Sequence, residues 1–188
     1  MLAYLGDDFC RSLDFDQDTG VMSTIRNFEH MVQFLDEELW NHLESNEIRS
    51  EFYAFRWLTL LFTQEFNAPD VFRIWDFIFS FREELRGAII YTAVAMLIYK
   101  RDEILKLDHL STILPFLQSY PPCDVGEFLE IAALQIMRYG FQVVGWLKLS
   151  SKEEIEGLRV RYRFNSSGAP SWRQNITGWV NSVRKLMD

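Results

Sequence analysis

From Val21 the apolar residues of this chain fall at 21, 25, 28, 32, 35, 39 and 43 (Val, Ile, Phe, Val, Leu, Leu, Leu), in alternating steps of four and three. Such steps line one side of an α-helix and cannot line one face of a strand, where the side-chain period is two. The pattern predicts one amphipathic helix of six turns, with Ser23 as its N-cap and Ser45-Asn46 at its end. A second helix is expected from Ser50 to Phe62, with Phe52, Phe55, Leu58 or Thr59, and Phe62 on one face. Pro69 fits the first turn of a third, through Val71, Ile74, Trp75, Ile78 and Phe79. A fourth begins near Arg82 and runs past Tyr99, and its uncharged stretch Ala88–Tyr99 is apolar on all sides, which marks a central core helix. Helices over His109–Gln118 and Asp124–Arg138 flank the Tyr120-Pro121-Pro122 breaker. Nothing before Gly140 reads as a strand, and only 9 Gly and 5 Pro accompany 29 aromatics (16 Phe, 7 Tyr, 6 Trp), so a turn-rich β architecture is excluded. The expected fold is all-α and multi-helical, in a chain long enough for one sizeable core.

The net charge of −8 excludes a general nucleic-acid binder, because phosphate affinity depends on neutralising cations. It is unevenly placed: residues 1–140 hold 11 basic and 23 acidic side chains, whereas 141–188 hold 8 and 4. After Gly140 the helical signals weaken, through an alternating Arg159-Val-Arg-Tyr-Arg163 piece and a polar stretch at 164–171, to an amphipathic segment over Arg173–Leu186. This basic tail is expected to be weakly ordered. The longest apolar run, 12 residues, falls short of the roughly 20 that span a bilayer. The first fifteen residues carry Asp7 and Asp8 and no secretory pattern, and Cys10 and Cys123 have no Cys-x-x-Cys spacing. Two reduced thiols in a cytoplasmic protein are expected, with the sequons at Asn165 and Asn175 chance matches.

Catalytic and ligand motifs are sparse. His30, His42 and His109 form no metal-binding spacing, and Gly-x-Ser-x-Gly and phosphate-loop patterns do not occur. Asp14-Phe-Asp16-Gln-Asp18 resembles the start of a calcium loop, but its sixth position is Thr19 where Gly is needed and its twelfth is Ile25 where a bidentate Glu is needed. No catalytic, cofactor-binding or metal-binding residue is therefore assigned.

One constellation stands out: Phe55-Arg56-Trp57, then Phe62, Glu65-Phe66, then Pro69-Asp70 and Arg73-Ile74-Trp75-Asp76. Two helices joined by a short Asn67-Ala68-Pro69 turn bring large aromatics to both sides of the junction, each worth about 1.5–3 kcal/mol when buried. Charges among those rings need partners. The pairs expected are Arg56 or Arg73 with Glu65 or Asp76, where a guanidinium fork holds a carboxylate at two points. Such a network fixes the register of the two helices, or presents part of itself to a partner protein.

Those residues resemble the signature of the TBC-domain family, the GTPase-activating proteins of Rab small GTPases, over Glu51–Phe66 and Pro69–Asp76. Looser similarity runs from Leu2 to Met137, including the Gln-Ser-Tyr-Pro element at 118–121. The resemblance implies an all-helical domain that binds a Rab and speeds its GTP hydrolysis in membrane traffic. It also implies that the chemistry belongs to an arginine in an Ile-x-x-Asp-x-x-Arg motif and a glutamine in a Tyr-x-Gln motif, neither of which this chain contains. On that reading residues 1–140 are the C-terminal half of a TBC (Rab-GAP) domain and 141–188 a basic tail of uncertain structure. The signature residues Phe55, Arg56, Trp57, Phe62, Glu65, Phe66, Pro69, Arg73, Trp75 and Asp76 are expected to be scaffold. The partner implied is a Rab, with peripheral association at endomembranes, and an apolar face awaiting a partner chain or the other half-domain. The alternative is a non-catalytic helical adaptor for a Rab or another protein.

Overall fold

The computed structural model describes residues 20–147 and 150–164, which form ten α-helices and no strand. In chain order they are α1 (Val21–Leu35), α2 (Glu37–Ser45), α3 (Ala54–Thr59), α4 (Ala68–Ser80), α5 (Leu85–Tyr99), α6 (Arg101–Ile104), α7 (Leu110–Gln118), α8 (Val125–Tyr139), α9 (Gln142–Leu147) and α10 (Lys152–Phe164), with a 3-10 turn at Ser50–Phe52 before α3. The all-α expectation holds.

The apolar run at Ala88–Tyr99 becomes the axis of the fold. Every residue of α5 from Gly87 to Ile98 is buried, and α1, α3, α4 and α8 pack around it. Its polar groups are satisfied inside the core: the Thr92 hydroxyl donates to the Ala88 carbonyl (2.7 Å), and the Tyr91 hydroxyl to that of Gly140 (2.8 Å). Tyr120, after α7, donates to the Met96 carbonyl at 3.0 Å. Gly87 lets the next layer come close, since a Cβ there meets the Phe141 ring at 2.5 Å.

The long helix expected from Val21 is two helices. Asp36 leaves helical geometry (φ −145°, ψ 86°), ends α1 and caps α2, its Oδ1 accepting from the Leu39 amide at 3.0 Å. Its Oδ2 accepts from Arg101 Nε at 2.6 Å, tying the break to α6. Leu35, Leu39 and Leu43 keep their phase across it, so hydrophobic period alone conceals the break. Ser23 is not the N-cap of α1; Gly20 holds that position, and the buried Ser23 hydroxyl accepts from Arg86 Nη2 at 3.2 Å.

The sequence boundary at Gly140 is a helix end, with Gly140 at φ 69°, a conformation that disfavours a side chain. It is not the end of the packed core. Val143, Leu147 and Ile155 are fully buried in the same hydrophobic cluster, and α10 lies on α1. The Arg159–Arg163 piece is thus helical. Arg159 is buried against α2, paired with Glu37 and with Glu156 (2.7 Å). The remaining tail readings (Asn165, 165–171, Asn175 and Arg173–Leu186), together with Cys10 and the Asp14–Asp18 carboxylates, lie outside the described residues.

Replacing Asp36 by Ala removes both the cap and the most buried of the three carboxylates that face Arg101, leaving Glu38 and Asp102. The expected loss is about 1–3 kcal/mol of unfolding free energy, measured by urea denaturation; a change within 0.3 kcal/mol, roughly the additivity error of such data, would contradict this role.

Candidate functional site

The signature residues converge where α3 meets α4. Helix α3 lasts only six residues because the chain then turns left-handed: Leu61 and Phe62 have φ of 47° and 66°. Each costs a non-glycine residue on the order of 1–2 kcal/mol. Surrounding contacts hold them there. Phe62 is fully buried, its amide donates to the Trp57 carbonyl (3.1 Å), and the Trp75 indole donates to the Leu61 carbonyl (3.0 Å). Asn67 then caps α4, accepting from the Asp70 amide at 3.1 Å, with Pro69 in the first turn as expected.

Across this turn Arg56 grips Glu65 at two points, Nε to Oε1 at 2.7 Å and Nη2 to Oε2 at 2.9 Å. The Glu65 side chain is 1% exposed and that of Arg56 40%. Arg56 Nη2 also donates to the Gln118 carbonyl at the end of α7, a position where a cation suits the helix dipole. Gln118 Nε2 returns a bond to the Phe52 carbonyl at 2.9 Å. The Gln-Ser-Tyr-Pro element, over fifty residues away in sequence, thereby closes onto the signature. Its Tyr120 packs edge-on against Trp57 (ring centroids 5.7 Å) and against Phe66 (5.6 Å), and Phe66 continues to Phe128 of α8 (5.5 Å).

Other expected neighbours separate. Phe55 and Phe52 do not share the buried face with Phe62; they are 44% and 50% exposed, and the core side of α3 is Ala54, Trp57 and Leu58. The left-handed turn re-aims Phe62 inward, which a helix drawn through to residue 62 cannot do. Arg73 pairs at longer range with Asp70 (3.7 Å) and with Asp124 (3.8 Å), the α8 N-cap. Asp76 takes neither arginine: it is exposed and makes no ion pair or hydrogen bond among the described residues.

No group of His, Cys, Asp and Glu suited to a metal occurs among the described residues. His30 Nδ1–H donates to the Leu147 carbonyl (2.6 Å) and His42 Nε2–H to that of Leu107 (2.8 Å), so both fasten backbone. Burial raises the Cys123 thiol to about 11, which keeps it protonated at neutral pH. Sequence reasoning missed a cleft of about 240 Å³ between α1, α2 and the 3-10 turn, lined among others by Glu29, Trp40, Glu44, Tyr53 and Lys152. Lys152 fills part of it, 4.6 Å above the Trp40 ring and 2.6 Å from Glu44. Burial raises the Glu29 carboxyl above its ordinary range, against hydrogen bonds from Ser50 that lower it.

An all-helical domain whose arginine, glutamate and tryptophan lock one helix junction is the class defined by this geometry. The chain belongs to the Rab-GTPase-TBC domain family, whose model matches residues 2–105. It is 36% identical over 132 residues to TBC1 domain family member 13 of Mus musculus, a match covering 70% of this chain and 32% of that protein. The human protein of the same name matches equally, at 36% over 132 residues. A TBC domain-containing protein of Schizosaccharomyces pombe is 27% identical over 198 residues, covering 98% of this chain and 30% of its own length. That likeness continues beyond Gly140. The solved structure of the Ypt/Rab-GAP domain of Gyp1p superposes with a TM-score of 0.63 at 25% identity, over 72% of this chain and 42% of that one. The chain spans about a third of the length of these three relatives.

For Glu29, a raised folded-state pKa means that the native state binds more protons than the unfolded state from about 4.5 upward, so stability falls as pH rises through that window. Glu29→Gln is expected to raise the unfolding free energy at pH 7 and leave it nearly unchanged at pH 4, read from denaturant titrations at both pH values. A gain of equal size at both would contradict the assignment.

Proposed function

We propose that this chain is the non-catalytic helical part of a Rab GTPase-activating protein, contributing the scaffold of the domain and contact with the GTPase. The observation that carries the reading is the state of Arg56. The arginine of the signature is held at two points by a buried carboxylate and at a third by the Gln118 carbonyl, so it is not free to enter another protein's active site. An arginine supplied in trans neutralises charge on the transferring phosphoryl group and contributes on the order of 10³–10⁵ in rate. Arg56 is a positioning residue instead, and Glu65, Trp57, Phe62, Phe66, Pro69 and Trp75 serve the same junction.

The sequence supports the same division, since no isoleucine has Asp three and Arg six positions on, and no tyrosine has Gln two positions on. No helix of the described residues is long and apolar enough to cross a membrane, and the reading places the protein peripherally at Rab-bearing endomembranes. Single-turnover GTP hydrolysis by a panel of GTP-loaded Rab proteins tests the proposal. The 188-residue chain is expected to leave the hydrolysis rate unchanged, and an extended version carrying both finger motifs to raise it. Stimulation by the chain alone would overturn it.

A further inference from the structure

The cleft between α1, α2 and the 3-10 turn holds a carboxylate that the fold leaves without a cation. Glu29 is half-buried there, and Ser50 donates to it from its hydroxyl and its backbone amide. The Arg49 guanidinium favours its charge only weakly, being paired at 3.2 Å with Glu51, and Glu51 itself repels Glu29. No ion pair reaches Glu29 among the described residues. Burial without a counter-charge makes this residue a burden on folding at neutral pH, and groups so placed concentrate where proteins bind or react.

A separate feature of the same cleft identifies the chemistry of a ligand. The Lys152 ammonium sits 4.6 Å from the Trp40 ring centroid and 2.6 Å from Glu44 Oε1. An aromatic face backed by a carboxylate is a seat for a cation, and here one is seated. Lys152 arrives from α10, and its side chain stays 61% exposed, so it covers the mouth of the cleft and leaves the interior open. The volume of about 240 Å³ is what remains with Lys152 in place. One water needs about 10–15 Å³ by that measure, and pockets for whole small molecules begin near roughly 300 Å³. Size therefore selects a single side chain over a nucleotide or a lipid headgroup.

We infer that this cleft receives an arginine side chain of a partner polypeptide, with the guanidinium on Glu29 and the stem along Trp40. Ser50 engages part of the carboxylate, and a planar fork can donate two parallel bonds to the lone pairs that remain. Guanidinium also stacks on an indole face, which an ammonium does not. A polypeptide is the favoured source because Lys152 already shows the approach, a side chain reaching in from an element packed outside the cleft. Lys152 then holds the outer half in cis, and an arriving arginine competes with it for Trp40 and Glu44. The site stands independently of the GTPase reading.

Titration of the full chain with the blocked tripeptide acetyl-Gly-Arg-Gly-amide, followed through the Trp40 indole and Ser50 amide NMR signals, tests this. Saturable shifts of both are expected. Glu29→Gln is expected to weaken binding about tenfold, the worth of one hydrogen bond to a charged group, in a protein that stays folded because the change removes an unpaired buried charge. Lys152→Ala is expected to tighten binding about threefold by freeing the Trp40 face. Citrulline in place of arginine, which keeps the shape and removes the charge, is expected to bind about tenfold more weakly. The inference is overturned by the absence of saturable shifts, by binding indifferent to Glu29, to Lys152 or to citrulline, or by tighter binding of the matching lysine peptide or of free spermidine. The lysine result would assign the cleft to an ammonium side chain, and the spermidine result to a free polyamine.

Discussion

The junction of α3 and α4 depends on one ion pair. The chain reverses through two left-handed residues that are not glycine, and a turn of that kind persists only where its surroundings over-determine it. Arg56 and Glu65 bridge the two ends of that turn, one on α3 and one just before the α4 cap. Because Glu65 is buried, the pair must be complete: a lone carboxylate in that place is far costlier than the pair is favourable. With the turn fixed, Phe62 enters the core, Trp75 reaches the Leu61 carbonyl, and α4 lies along α5 and α8.

The same arginine links the junction to α7 through the Gln118 carbonyl, and Gln118 links back to Phe52. Three separate stretches of sequence therefore meet at one guanidinium. This explains why an arginine, with its planar five-donor fork, occupies a place that a lysine's single ammonium cannot fill in the same way. The guanidinium thus serves the junction, with its Nε and Nη2 groups both engaged within the fold.

Much of this was legible in the sequence. The uncharged run at Ala88–Tyr99 announced the central helix, and Pro69 and Asp124 announced helix starts that the structure reproduces. Charge placed among aromatics called for Arg56 or Arg73 to pair with Glu65 or Asp76, and of those combinations the structure forms Arg56 with Glu65. What escaped were features that leave the apolar period intact or depend on backbone reversal. The break at Asp36 keeps Leu35, Leu39 and Leu43 in phase; its only trace is an Asp followed by two Glu, the pattern of a capped and charged helix start. Phe55 and Phe62 were grouped on one face because nothing in their types reveals a left-handed turn between them. Among its described side chains helix α10 buries Ile155 and Arg159 with the flanks of Leu158 and Tyr162, and alternating arginines hid that sparse helical stripe.

The most direct test of the account is a double-mutant cycle on Arg56 and Glu65 by equilibrium denaturation, using Arg56→Ala, Glu65→Ala and the pair. The account predicts that each single change is destabilising and that the double change costs less than their sum, with a coupling of about 1–3 kcal/mol. Additive effects within about 0.3 kcal/mol would contradict it, because the two residues would then hold the junction independently or not at all.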